Sequence, residues 1–192
     1  HYNPKHVILT SIEFDHADIY RDLQHVTDSF VRLLNIIPPD GSLHFCSDYA
    51  QIHKAIESSQ LSPHCFVRGY GINSGDWRVD HFTATRDGCR FHLSHSCLLS
   101  PVSCILSGEY NALNVAACLS VIEKIGLDVN RAAKAVATFT GVRRRQEILF
   151  ESKEVLVIDD FAHHPTAVRE TIKAIRNRFP KHSLVAIFEP RS

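Results

Sequence analysis

Val157-Ile158-Asp159-Asp160-Phe161-Ala162-His163-His164-Pro165-Thr166 carries an apolar run into two carboxylates and two imidazoles just before a helix begins. In open α/β sheets ligands bind beyond the carboxyl ends of the strands, where the next helix offers free N–H groups and a partial positive charge to an anion. Asp159, Asp160, His163 and His164 therefore fall where a nucleotide would be handled. Asp and His are also common at strand ends and helix caps, and Pro165 suits a first helical position, so the stretch alone fits simple capping equally well.

Working outward, residues 147–150 and 155–158 read as strands, Val168, Ile172, Ile175 and Phe179 form one helical stripe, and residues 183–188 read as a further strand. Together they predict a β-α-β unit. Near the N-terminus, residues 6–10 read as a short buried strand, and the helix after it places Leu23, Val26, Phe30, Leu33, Leu34 and Ile37 on one face before Pro38-Pro39-Asp40-Gly41 stops it. Shorter β-like runs follow at 43–46, 65–67, 77–83, 89–93 and 102–106, a partly antiparallel stretch of unassigned pairing. A helix over 109–125 turns Leu113, Ala117, Val121 and Ile125 inward and stops at Gly126, where a left-handed C-cap is common. After a second helix over 130–139, Thr140-Gly141-Val142 marks the expected boundary between a domain of residues 1–140 and one of residues 141–192. The class expected is α/β.

Composition adds limits rather than a function. A chain of 192 residues, 44% hydrophobic and 22% charged, can bury a real core in one or two domains. Twenty-one basic residues balance twenty-one acidic ones, so no global field points to nucleic acid or an anionic membrane. No apolar run approaches the roughly 20 residues that span a bilayer, and no secretory pattern opens the chain, so a cytoplasmic location is expected. Cys46, Cys65, Cys89, Cys97, Cys104 and Cys118 lie far apart without a C-x-x-C pair, which predicts reduced core thiols. The absence of methionine and the opening His1-Tyr2-Asn3-Pro4 lead us to expect an internal piece of a longer protein.

Three further clusters carry chemistry. In Thr10-Ser11-Ile12-Glu13-Phe14-Asp15-His16-Ala17-Asp18, carboxylates beside an imidazole suit a hard divalent cation only if phosphates complete its sphere; an acidic helix-capping loop is the simpler reading. In Gly108-Glu109-Tyr110-Asn111-Ala112-Leu113-Asn114, two carboxamides share one helix face, and a carboxamide suits the paired N6 and N7 edge of adenine, although on this motif alone helix capping by Asn111 is the better reading. Arg143-Arg144-Arg145 sits at the expected domain junction, where guanidinium forks match phosphate oxygens, or form a solvated basic turn.

In this order, D-H after a strand, G-x-x-N-x-x-N opening a helix, G-V-x-R-R-x-E at a hinge and D-D-x-x-H-H-P-T, the motifs resemble the ATP-dependent Mur ligases of peptidoglycan synthesis over nearly the whole chain. Within that family, Glu13 to Ile19, Arg143-Arg144-Arg145, Asp159 to Thr166 and Glu189-Pro190-Arg191-Ser192 look most like the murein peptide ligases of cell-wall recycling, the UDP-N-acetylmuramate:L-alanine ligases being the alternative. The resemblance implies part of a central ATPase domain, a mixed sheet with helices, followed by the first β-α-β portion of a Rossmann-like C-terminal domain. It implies ATP and Mg²⁺ as cofactors. UDP-N-acetylmuramate and the tripeptide L-Ala-γ-D-Glu-meso-diaminopimelate would be the substrates, joined through an acyl phosphate.

By the same resemblance His16 helps bind a Mg²⁺, Asn114 contacts adenine with Asn111 beside it, and Arg145 reaches the terminal phosphate. Asp160 holds the ribose, Phe161 lies against the base, and His163 and Arg191 face the incoming amine. Arg145 and His163 are the expected catalytic residues. Ser11 departs from the Asn usual in T-N-x-x-x-D-H, and Tyr110 from a frequent His. No G-x-x-G-K-[ST] phosphate loop occurs, so these 192 residues alone are expected to be inactive; a non-catalytic nucleotide-binding module is the competing expectation.

Overall fold

The computed structural model describes residues 3–95 and 101–189. Strand β1 (His6–Leu9) begins a six-stranded sheet, helix α1 (Leu23–Asn35) leads to β2 (Ser42–Cys46), and helix α2 (Ala50–Glu57) leads to β3 (Phe66–Gly71). Strands β4 (Trp77–Thr85), β5 (Gly88–Ser94) and β6 (Val102–Cys104) complete it in chain order. The first four strands pair in parallel, the β3–β4 contact being only Tyr70↔Trp77 and Gly71↔Arg78. The last two pair antiparallel, as tight connections allow. The expected partly antiparallel stretch is thus the second half of a mixed sheet.

Helix α3 (Glu109–Lys124) crosses the sheet over β2, β3 and β4, and α4 (Val129–Val136) packs on α3 and β6. Leu34, Leu43, Ile52, Tyr70, Trp77, Phe91 and Leu119 are fully buried at this centre. Gly126 has φ +78° and closes α3 as expected: its N–H reaches Glu123 O (3.0 Å) and the Leu127 N–H reaches Ile122 O (3.0 Å). The buried side of α3 is, however, Asn111, Ala112, Ala116, Ala117, Leu119 and Ser120, while Ile125 is exposed. The sheet on one side and α4 on the other select small residues, so the larger apolar side chains do not mark the inward face.

Strands β7 (Glu147–Glu151) and β8 (Leu156–Asp159) form a separate antiparallel pair, followed by α5 (Pro165–Arg178), with His164 as N-cap and Pro165 at its start. Two expectations are corrected here. Residues 183–188 form no strand: a strand needs a ladder partner, none of the described residues supplies one, and Ile187 is 98% exposed. The expected stripe holds only in part: Phe179 is buried and Val168 and Ile175 half-buried, but Ile172 is exposed and Thr171 and Ala174 turn inward, where α5 packs against β4 and Gly108 rather than on a sheet of its own. Helix α2 is absent from the sequence reading; eight residues with Ile52 and Ala55 as their buried positions are too short to display a period. Of the thiols, Cys118 is exposed instead of buried, and Cys97 lies outside the described residues.

A polar chain runs from exposed His6 into the core between β2 and α3. His6 Nδ1 lies 2.8 Å from Ser42 Oγ, which lies 2.9 Å from His44 Nε2, and His44 Nδ1 lies 2.7 Å from Ser120 Oγ, which donates to Ala117 O (2.8 Å). The last bond makes Ser120 the acceptor for His44 Nδ1–H, so neutral His44 is satisfied on both nitrogens. Burial pushes its pKa down to about 4. The unfolded chain therefore takes up this proton first, and the stability tied to neutral His44 is full above about pH 6.5 and lost as pH falls toward 4. We expect urea unfolding of the wild type to weaken by about 2–3 kcal/mol more than that of His44→Gln between pH 7 and 4.5. Equal pH slopes for the two proteins would contradict this account of His44.

Candidate functional site

A cleft of about 1120 Å³ opens at the carboxyl ends of β1, β2 and β3. Thr10, Ser11, Glu13, Asp15 and His16 line one part; Asn111 and Asn114 of α3 line another. Arg145, Gln146, Asp160, Ala162, His164 and Thr166 contribute from the β7–β8–α5 body. Both sheets thus build one cleft, at the place where α/β topology puts ligands.

The seam between the two bodies is organised by Gln146, which no motif singled out. It is buried and has φ +51°. Its Oε1 accepts the Ser107 N–H (3.1 Å), while Nε2 donates to Ser107 O (2.7 Å) and Tyr110 Oη (2.6 Å). Its own N–H donates to Asp160 Oδ2 (2.9 Å). One residue so joins the loop before α3 to the end of β8. Gly108 (φ +105°) lets the bodies close here, since a Cβ would stand 2.7 Å from the Tyr110 ring and 3.0 Å from Ala174 Cβ. Burial pushes the Tyr110 hydroxyl pKa up, keeping it a neutral partner.

A second seam ties the Asp-His loop to the start of α5. Thr166 Oγ1 donates to Glu13 Oε2 (2.7 Å), His164 Nε2 lies 3.1 Å from Phe14 O, and His164 Nδ1 stands 3.8 Å from Glu13 Oε2. Lys173 Nζ adds an ion pair to Glu109 (2.9 Å). Glu13, Phe14, His164 and Thr166 thereby act as fasteners beside the groups that sequence selected.

The selected residues divide. Asn114 is exposed to the cleft with its carboxamide unpaired among the described residues, whereas Asn111 is buried and spends its Nδ2 on Ser107 O (2.8 Å). Arg145 reaches the cleft with no carboxylate at ion-pair distance among the described residues; Arg144 is instead held by Asp159 (3.4 Å). Asp160 lines the cleft but already accepts from Gln146 N and from Ala162 N (2.8 Å). Phe161 and His163 are exposed and outside the cleft lining. The guanidinium carbons of Arg144 and Arg145 lie 5.0 and 5.5 Å from the Phe161 ring centre, and His163 Nδ1 lies 3.0 Å from Phe161 O. Arg191 lies outside the described residues.

His16, with φ +55°, stands beside Asp15, whose Oδ1 accepts the His16 N–H (2.7 Å); that bond pulls the Asp15 carboxyl below the usual carboxylate range. Among the described residues no three His, Cys, Asp or Glu side chains gather as a metal cage. The pair fits a Mg²⁺ only as two donors, with water and phosphate oxygens supplying the rest.

Residues 1–122 match the Mur ligase middle domain, and residues 144–192 match the Mur ligase, glutamate ligase domain. The chain belongs to the Mur ligase family. A UDP-N-acetylmuramate--L-alanine ligase of Clostridium tetani is 31% identical over 187 residues, 96% of this chain and 40% of that protein. A murein peptide ligase structure from Psychrobacter arcticus covers 100% of this chain and 38% of its own, with TM-score 0.69 and 27% identity. The Thermotoga maritima MurF ligase in complex with ADP shares the fold: TM-score 0.75, 18% identity, 91% of this chain and 39% of that one. The chain thus spans about two fifths of the length of the curated relative. The α/β class, a mixed sheet with helices, agrees with these Mur ligase structures.

Removing the Gln146 side chain strands the buried Ser107 N–H and C=O. Gln146→Ala should therefore lower unfolding stability by about 2–3 kcal/mol in urea titration. A loss below about 0.5 kcal/mol, typical of an unremarkable surface site, would contradict the seam as drawn.

Proposed function

We propose that these residues form the nucleotide- and amine-facing part of an ATP-dependent amide ligase of cell-wall recycling, acting in the cytoplasm. It joins UDP-N-acetylmuramate to L-Ala-γ-D-Glu-meso-diaminopimelate. The observation that carries the reading is the unpaired Arg145 guanidinium sharing one cleft with Asn114 and the Asp15–His16 turn. We place the boundary between its domains at residues 140/141.

The sugar carboxylate attacks the terminal phosphoryl group of ATP, ADP departs, and the peptide amine then displaces phosphate from the acyl carbon. Arg145 neutralises charge on the transferring phosphoryl, which is where such chemistry draws most of its acceleration. Asn114 reads the adenine edge, with Asn111 holding the loop behind it. Asp160 keeps lone pairs for ribose hydroxyls while bracing Gln146. Asp15 and His16 would hold Mg²⁺, which would supply charge neutralisation beside the phosphates. Phe161 comes against the base and His163 receives the peptide only when the bodies shift from the arrangement described, since both stand outside the cleft, and Arg191 joins His163 in facing the peptide.

A second reading, L-alanine as the amine, is favoured by the L-alanine ligase name of the 31% identical relative. A third, a nucleotide-binding module without catalysis, draws on the absence of G-x-x-G-K-[ST] from the 192 residues.

The test offers the full-length protein UDP-N-acetylmuramate, ATP and Mg²⁺ with tripeptide or L-alanine and follows phosphate and amide product. Tripeptide-dependent turnover is expected. Turnover with L-alanine only establishes the second reading, and none with either amine the third. Residues 1–192 by themselves should release no phosphate. In the active protein, Arg145→Ala should cut kcat roughly 100-fold or more, and Arg144→Ala, whose guanidinium is committed to Asp159, should cost much less. Equal losses would remove Arg145 from its assigned role.

A further inference from the structure

We propose that Cys89 and Cys104 are an oxidative modification site, a dithiol that small peroxides close to a disulfide across β5 and β6. The two residues are direct register partners in the antiparallel ladder. Opposed residues in such a ladder have Cα atoms about 4.5 or 5.5 Å apart, and both spacings lie within the range of about 4.4–6.8 Å that a disulfide spans. The backbone is therefore already placed for the bond. The other described cysteines lack this arrangement: Cys46 faces Tyr70 in register, Cys65 precedes β3, and Cys118 lies on α3.

Both thiols are shielded from bulk water, but Cys104 lines the cleft, which gives a molecule the size of hydrogen peroxide an approach. The facing of the two thiols pushes the Cys89 pKa up and the Cys104 pKa down, dividing the roles of proton holder and nucleophile. The Cys104 thiolate attacks a peroxide oxygen, the O–O bond breaks, and the hydroxide released takes up the thiol proton as water. The Cys89 sulfur then attacks the sulfenic sulfur; the S–S bond forms, and hydroxide leaves with the Cys89 proton as a second water. Two sulfurs are oxidised by two electrons together, and one peroxide is reduced.

The reaction alters the cleft wall. Reduced Cys89 donates its S–H to Leu106 O (3.3 Å), a bond the disulfide cannot make. Leu106 precedes Ser107, the residue gripped by Gln146, so oxidation loosens the loop on which that grip depends.

Residues 1–192 carrying Cys118→Ser, which removes the thiol exposed among the described residues, are treated with hydrogen peroxide and examined by intact mass and non-reducing peptide mapping. A loss of two hydrogens is expected, with the Cys89 and Cys104 peptides joined and both changes reversed by dithiothreitol. Added Cys89→Ser should abolish the link and leave a sulfenic acid at Cys104 that dimedone traps. A link between other cysteines, oxygen addition without the Cys89–Cys104 link, or unchanged mass in folded protein whose urea-unfolded form is oxidised would each overturn the proposal. The link is read on protein with Cys89 and Cys104 both present, so it stands even if the Cys89 variant does not fold.

Discussion

A buried carboxamide has two donors and two acceptor sites, and each one left unmatched away from water costs about 1–3 kcal/mol. Gln146 meets that demand by gripping both backbone groups of Ser107 and the Tyr110 hydroxyl, while its own N–H is held by Asp160. These partners come from opposite sides of the seam, so their simultaneous satisfaction fixes how the β7–β8–α5 body meets the larger sheet. The cleft inherits its shape from this constraint. Gln146 adopts φ +51° to make the contacts, and Arg144, at φ +57°, keeps the same loop tight. Non-glycine residues hold such conformations where surrounding bonds over-determine them, a pattern typical of ligand clamps.

The fasteners sit beside the chemical groups rather than among them. Asp160 braces Gln146 and faces the cleft, Asn111 holds the Ser107 carbonyl while Asn114 has no carboxamide partner among the described residues, and Asp159 holds Arg144 while Arg145 has no carboxylate at ion-pair distance among them. Asn111 and Asp159 are spent on structure, while Asp160 both braces Gln146 and faces the cleft. Structural and cleft-facing groups lie side by side in these stretches, so residue type alone does not separate capping from ligand binding.

The strands were legible wherever apolar residues run between turn signals, and β1, β2, β5 and the strands of the second body fall close to their expected positions. What the sequence concealed depends on tertiary partners. The inward face of α3 is lined with alanines because two layers press on it, and residues 183–188 form no strand because strand propensity alone supplies no ladder. Asn114, Arg145, Asp160 and His16, all drawn from the motifs, line one cleft. The motifs gave no hint of Gln146, whose role arises from a contact with Ser107, far away in the chain. The one available signal was a carboxamide among arginines at a junction, too common a pattern to single out.

The central claim is that elements on both sides of the Ser107–Gln146 seam form one nucleotide site. Its most direct test is a titration of isotope-labelled residues 1–192 with ADP and Mg²⁺, followed by the backbone and side-chain NMR signals of Asn114, His16, Arg145 and Asp160. The account predicts that all four shift with a single, weak binding curve. Shifts confined to one side of the seam, or none at millimolar nucleotide, would contradict it.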